Sequence, residues 1–377
     1  MTNFNCEQQI RFDIIKLYVL GQLSGIEAAE SLDITPRHVR RLAKRFKEEG
    51  LNAFFHGNKG RIPHNKTPSS MRKKISDLYR LKYQGLNIAH FREKLEEIEM
   101  IEELPSYNVI RETLNAAKIV SPKAKRRKRS HARRKRCERE GILVQIDGSP
   151  HRWIPHMLPI CLTAAIDDAS GKILGATFSP TETTFAAMDV VEQILVNHGK
   201  FQMLYSDKAG IYGGQKRQGY SNLKTALHEL GIVSIKANSP QAKGRIERLF
   251  GTLQSRLTSE IRLRRIRTIE EANHYLKEFI VDFNKRFAVL PKNPESSFKR
   301  MPFNYNYDEH MCFRESRTVA CGEVVNFKGH QFVLKHHFQN SLQGQFVEVR
   351  SYRSGEIRVL YQGEFIEYDL LSERRAA

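Results

Sequence analysis

The chain of 377 residues holds 62 Lys+Arg against 42 Asp+Glu, a net charge of +20, with 40% hydrophobic and 28% charged residues. This length suits two to four domains and this composition is globular, which excludes a small disulfide scaffold, a lone binding module and a mainly disordered chain. No apolar run approaches the ~18–20 residues of a bilayer span, and the start lacks a basic n-region followed by an apolar h-region, so a cytoplasmic protein with no membrane partner is expected.

The five cysteines, Cys6, Cys137, Cys161, Cys312 and Cys321, form no C-x-x-C pair and are odd in number, so they read as reduced thiols rather than a disulfide framework or zinc site. Such an excess of positive charge points to nucleic acid as partner. It is concentrated early: residues 1–140 carry 31 Lys+Arg and 17 Asp+Glu, the remainder 31 and 25.

Residues 7–49 read as three helices. Ile10, Ile14, Leu17 and Tyr18 keep helical spacing in the first, and Ile26, Ala28, Ala29 and Leu32 form a short second. The third opens with Thr35 as cap and Pro36 at its first position. It turns Val39, Leu42 and Phe46 inward and aligns Arg37, Arg41 and Lys44, with Arg40 beside them, on the opposite face. This is the pattern of a helix-turn-helix DNA reader, whose last helix enters the major groove. With the basic tail FFHGNKGRIPHNK it makes a domain over 1–66.

A second helical domain is expected over 67–120, with Ile75, Leu78 and Leu81, then Phe91 and Leu95, then Val109, Ile110 and Leu114 facing a core. Its middle, EKLEEIEMIEE, is acidic, and it reads either as a second helix-turn-helix or as a packing unit. Residues 121–140 contain eleven Lys+Arg and no aliphatic larger than alanine, which makes them a basic linker suited to phosphate contact.

From 141 the pattern becomes α/β. Strands are expected at 142–147, 160–167 and 172–178, a helix from about Thr183 to His198, a strand at 201–207, a helix at 221–231, a strand at 232–237 and a long helix from near Pro240. Three strands in hairpin succession followed by helix-strand-helix-strand-helix is the element order of an RNase H-like core, placed at 141–290. Residues 288–316 are Pro-rich and irregular, and four or five short strands over 317–371 suggest a small SH3-like β barrel.

Three acids of the core stand out. Asp147 ends the first strand, Asp207 ends the fourth, and Glu247 lies on the final helix, with 59 and 39 residues intervening. First and fourth strands are neighbours in this topology, so the aspartates meet at one edge of the sheet and the helix supplies the third acid. Hard oxygen ligands of this kind suit Mg²⁺, with Mn²⁺ as a substitute, and phosphoryl transfer. Lys243, Arg245 and Arg248 cluster around Glu247 as candidate phosphate contacts. Asp167 and Asp168 read as turn residues, Glu182 and Asp189 as a cap and a surface acid, and Trp153 as core.

The segments QIDGSPHRW, AIDDASGKILG, YSDKAGIY and especially NSPQAKGRIERLFGTLQSRL resemble the integrase-type DDE transposases of bacterial insertion sequences, most closely the ISNCY group. The resemblance implies that Asp147, Asp207 and Glu247 are catalytic metal ligands, and that no covalent protein–DNA intermediate forms. It further implies that water cuts at the transposon end and the freed 3′-OH attacks target DNA. Joining two ends implies at least a homodimer on double-stranded DNA, in the bacterial cytoplasm at the nucleoid. Two other readings use the same residues: a structure-selective nuclease that never joins DNA, and a DNA-binding regulator with an inactive core.

Overall fold

The computed structural model describes residues 5–55, 63, 66–120, 122, 134–207, 222–236 and 243–373. Most of the basic tail, most of the basic linker, and the parts of YSDKAGIY and NSPQAKG at 208–221 and 237–242 lie outside the described residues. The chain divides into two compact units, Met1–Lys73 and Lys74–Ala377. No helix among the described residues is long and apolar enough to cross a membrane.

The first unit contains α1 (Cys6–Val19), α2 (Gly25–Leu32) and α3 (Pro36–Glu49). Capping boxes open α1 (Asn5 with Gln8) and α2 (Ser24 with Glu27), and Thr35 accepts from the His38 N–H before Pro36 starts α3. Asp33 adopts a left-handed conformation (φ 52°), which closes the tight turn between α2 and α3. Ile15, Ala28, Ala29, Val39 and Ala43 form the core, sealed by Phe12, Phe46 and Phe54 with ring centroids 5.5 to 5.7 Å apart. The alanines let the helices approach closely. Ile15 takes the buried place in α1, while Ile10, expected in the core, is exposed. Arg37, Arg40, Arg41 and Lys44 are exposed on the outer face of α3.

Three further helices follow, α4 (Ser69–Leu81), α5 (Ile88–Glu97) and α6 (Tyr107–Ala116). Ile75, Tyr79, Tyr83, Phe91, Leu95, Ile110 and Leu114 are buried; Leu81 is exposed, its expected place filled by the tyrosines.

The α/β core has β1 (Leu143–His151), β2 (Ile160–Asp167), β3 (Ile173–Ser179), α7 (Thr184–Asn197), β4 (Met203–Ser206), α8 (Asn222–Glu229), β5 (Val233–Lys236), α9 (Gly244–Leu263) and α10 (Ile269–Phe287). The strand order is β3-β2-β1-β4-β5, with β1–β2 and β2–β3 antiparallel and β1–β4 and β4–β5 parallel, the RNase H-like arrangement. β1 does not end at Asp147. It continues to His151 because β2 pairs along it from Val144 to His151, whereas β4 pairs only with Leu143–Gln145. Asp147 therefore lies inside the strand.

Helices α9 and α10 cover one face of the sheet, with Leu162, Ala164, Ile166 and Trp153 packed under Leu249, Phe250, Leu253 and Phe279. Val144, Ile146, Leu174 and Phe201 face α7 and α8 on the other. The free edge of β3 is closed by α10: Asn284 exchanges two hydrogen bonds with the Ile173 backbone and Asn273 two with Phe178. Eleven residues of helix and five of strand both span roughly 16 Å, so the two side chains match the ends of β3.

Six strands complete the chain: β6 (Phe313–Thr318), β7 (Val324–Phe327), β8 (His330–Lys335), β9 (Phe346–Ser351), β10 (Ile357–Tyr361) and β11 (Glu364–Glu373). They form one antiparallel sheet in the order β6-β9-β10-β11-β8-β7, whose end strands β6 and β7 return into contact, a nearly barrel-shaped closure. Its first strand lies in the segment expected to be irregular, because polar FRESRT pairs along β9 without an apolar pattern to announce it. Arg353 of this sheet pairs with Asp189 and Glu192 of α7, so Asp189 is an ion-pair partner rather than a free surface acid.

A polar seam holds α5 against α9. Arg256 forks onto Glu93 (2.6 and 2.9 Å), and Asn87 donates to Ser255. At its centre the buried Glu260 accepts from Lys94 (2.7 Å) and meets the His90 ring at 2.6 Å. Burial opposes this charge, but His90 and Lys94 outweigh it and hold the carboxyl down at about 2, below the ordinary 4.5. A depressed carboxyl stabilises the fold above its unfolded value, and that stability is lost as the pH falls from about 4.5 towards 2. Glu260→Ala, which strands Lys94 and His90, should destabilise the second unit by about 3 kcal/mol at neutral pH. Urea unfolding should find the deficit shrinking in acid.

Candidate functional site

Side chains alternate along β1, and contacts assign its faces. The Gln145 Oε1 accepts the Ile246 N–H (3.3 Å), and the Ser149 Oγ accepts from Gln254 (3.3 Å), so the polar positions 145, 147 and 149 face α9. The parallel register pairs Leu143 with Met203 and Gln145 with Tyr205; two residues further on, Asp147 is level with Asp207, which follows the last residue of β4.

The two aspartates share one positive charge. Lys243, mostly buried at the N-cap of α9, points its Nζ at Asp147 Oδ1 (2.7 Å) and lies 3.7 Å from Asp207 Oδ2. The Asp147 side chain is 17% exposed and that of Asp207 38%, so the first lies in the drier setting. Burial pushes the Asp147 carboxyl above its ordinary value; Asp207 adds to the rise, and Lys243 opposes it.

Glu247 is exposed on the first turn of α9, one turn beyond Lys243. It does not join the pair: among the described residues no group of three or more His, Cys, Asp or Glu is arranged to hold a metal ion. Arg248 is exposed beside it, whereas Arg245 donates its Nε to the buried Asp168 at 2.6 Å. Asp167 and Asp168 are both fully buried, Asp167 accepting from Ser170 and Gly141 to build the turn after β2.

Other expectations change at this edge. Thr183, not Glu182, caps α7, accepting from the Ala186 N–H at 3.0 Å. Glu182 instead lies against β1, where a Cβ on Gly148 would fall 2.5 Å from its Oε1; a glycine beside Asp147 makes the room. Trp153 is core, its indole N–H donating to the Ser149 carbonyl. Burial pushes the Cys137 and Cys161 thiols up to about 11, so neither is a thiolate nucleophile at neutral pH. The roles of Gln145 and of Lys243 between the aspartates escaped the sequence. The available signal was polar residues at every second position of an otherwise apolar strand.

Residues 11–73 match a family model described as a winged helix-turn-helix. Over 371 residues the chain is 32% identical to a Sinorhizobium fredii protein named as transposase y4bF, covering 95% of this chain and 79% of that one. It is also 32% identical over 365 residues to the transposase for insertion sequence IS1202 of Streptococcus pneumoniae, 86% of this chain and 77% of that one. Distant structural likenesses include the HTLV-2 integrase catalytic core domain in complex with magnesium (15% identity, TM-score 0.30, 36% of this chain and 83% of that one). Another is the simian T-cell lymphotropic virus intasome in complex with PP2A regulatory subunit B56 gamma (14%, 0.36, 80% and 100%).

Lys243→Met removes the cation between Asp147 and Asp207. A raised carboxyl favours the fold while protonated, and that contribution is lost as the pH climbs through the raised value. The variant should therefore be less stable than the parent by about 1 to 2 kcal/mol near pH 7, with a smaller gap below about pH 4. Paired urea titrations at the two pH values measure this.

Proposed function

The chain belongs to the transposases of insertion sequences, and on that premise we propose that it binds the ends of its element, cuts there and joins the freed 3′ ends to target DNA through Asp147, Asp207 and Glu247. The observation that carries this reading is the pairing of Asp147 with Asp207 around one positive charge, beside the helix turn that bears Glu247.

The donor set fits a divalent cation, Mg²⁺ or in its place Mn²⁺. Two carboxylates converge on one Lys243 ammonium in a partly buried setting, so hard oxygen donors of the kind such an ion prefers already stand together around a positive charge. Asp147 and Asp207 would hold it, with Glu247 as the third ligand. Ions bound there supply activation of the attacking oxygen and stabilisation of the leaving one.

The chain's own residues account for the remaining steps. Arg37, Arg40, Arg41 and Lys44 line the exposed face of the third helix and read or grip the element end. Arg248 contacts phosphate near the acids, and Lys243, once released by the aspartates, becomes free to do the same. Arg245 reaches DNA only by leaving Asp168. Water attacks the phosphodiester at the element end, and the resulting 3′-OH attacks target DNA. Neither step needs a protein nucleophile, in keeping with the raised thiols. Two ends brought together require at least a dimer, and the domain division expected at 1–66, 67–120, 141–290 and 317–371 assigns recognition to the first part and chemistry to the third.

Asp147→Asn, Asp207→Asn and Glu247→Gln should each reduce Mg²⁺-dependent nicking of labelled element ends by about 100- to 1000-fold. End binding in a gel-shift assay should change by less than about threefold, because phosphate contacts set it. Full cutting by any of these variants would refute the site. Supplying pre-cut ends with a plasmid separates the reactions: joined products are expected, and hydrolysis alone would make the protein a nuclease. Arg41→Ala with Lys44→Ala should lower the slope of log affinity against log salt by about two.

A further inference from the structure

Asp168 is a fully buried charge outside the acid set, and it does more than its turn requires. Asp167 already builds that turn through Ser170 and Gly141. The Asp168 carboxylate gathers donors from three separate stretches of chain. The Cys137 N–H (2.9 Å) and the Arg134 guanidinium come from the end of the basic linker, Gln145 Nε2 (2.8 Å) from β1, and Arg245 Nε (2.6 Å) from the first turn of α9.

Two of these donors stand two residues ahead of a proposed catalytic acid, Gln145 before Asp147 and Arg245 before Glu247. The network continues to the helix. With its amino group committed to Asp168, Gln145 turns its carbonyl to the Ile246 N–H (3.3 Å), one of the first-turn donors that a helix cannot satisfy internally. Lys243 at the N-cap provides no side-chain cap. Although burial opposes the charge, Cys137 and Arg245 hold the Asp168 carboxyl below its ordinary range, so at neutral pH it only accepts and the Gln145 amide has one orientation.

We propose that Asp168 is a positioning residue of the DNA-cutting site: through Gln145 and Arg245 it seats the first turn of α9, and with it Glu247, against the strand that carries Asp147. The inference rests on the reading of these acids given above. It also gives the basic linker a fixed exit, since Arg134 and Cys137 end on the same carboxylate. An asparagine at 168 keeps the shape but offers a donor to Gln145, which then has reason to turn its own amino group towards the Ile246 N–H.

The test uses the full-length protein and Asp168→Asn, with Gln145→Leu as a second variant. Hydrogen exchange of peptides spanning 243–250, read without DNA or metal, should quicken by about tenfold, the worth of one such hydrogen bond, while peptides from β10 and β11 stay unchanged. The single-turnover cutting rate at saturating Mg²⁺ should fall by about tenfold with end binding within about threefold, and Arg245→Lys should retain more of that rate than Arg245→Met. Unchanged exchange at 243–250 in both variants overturns the positioning role whether or not the protein cuts DNA. Faster exchange with a parental cutting rate overturns the link to catalysis. Faster exchange throughout the core, with a lowered melting temperature, marks a general structural role and overturns the proposal as well. A parent that never cuts its ends removes the site reading itself, a failure visible in the triad experiment and distinct from the exchange result.

Discussion

Asp147 and Asp207 stand level because β1 and β4 are parallel neighbours in a fixed register, and like charges so placed in a partly dry setting need a positive charge between them. Much of the core follows from this constraint. The Lys243 ammonium supplies the charge from the N-cap of α9. Ile246 and Gln254 then anchor α9 along the polar face of β1 through Gln145 and Ser149. The apolar stripe of Leu249, Phe250, Leu253 and Leu257 packs the same helix onto the sheet and α10. Apolar packing holds the helix to the sheet in a general way; the polar contacts select its register.

The same division of labour recurs elsewhere. α10 is held by a greasy face, yet Asn273 and Asn284 tie it to the backbone of β3 and close an edge that would otherwise invite another strand. Between α5 and α9 the contacts are largely ionic, with the buried Glu260 against Lys94 and His90 and the half-buried Glu93 against Arg256. Buried ion pairs add little net stability compared with apolar packing, but they penalise any shift that separates the partners. The helical region over 88–116 is thereby kept in one arrangement on the core helix.

Charge distribution fits this picture. Most of the surplus lies in the first 140 residues, where α3 exposes Arg37, Arg40, Arg41 and Lys44, while several cations of the core are paired with Asp168, Glu93, Glu229 and Glu260. An exposed arginine in α3 and Arg245 in α9 look alike as letters. Only one faces solvent.

Local rules made much of the fold legible from the amino acids alone. The cap residue Thr35, the 3.6-residue stripe of α9 and the hairpin spacing of the first core strands each depend on neighbours a few positions away, and the structure bears out the helix-turn-helix, the RNase H-like order and a small, nearly barrel-shaped β sheet. The three acids were also legible as residue types on particular elements, because an acid near a strand end or on a helix turn is a local feature. Pairing was not. That β1 runs to His151, that FRESRT is a strand, that Lys243 lies between two aspartates and that Asp168 collects donors from three segments all depend on groups far apart along the chain. A sequence determines which groups exist and which local structures they favour, but their partners are decided only when the sheet closes and burial makes every unpaired charge costly.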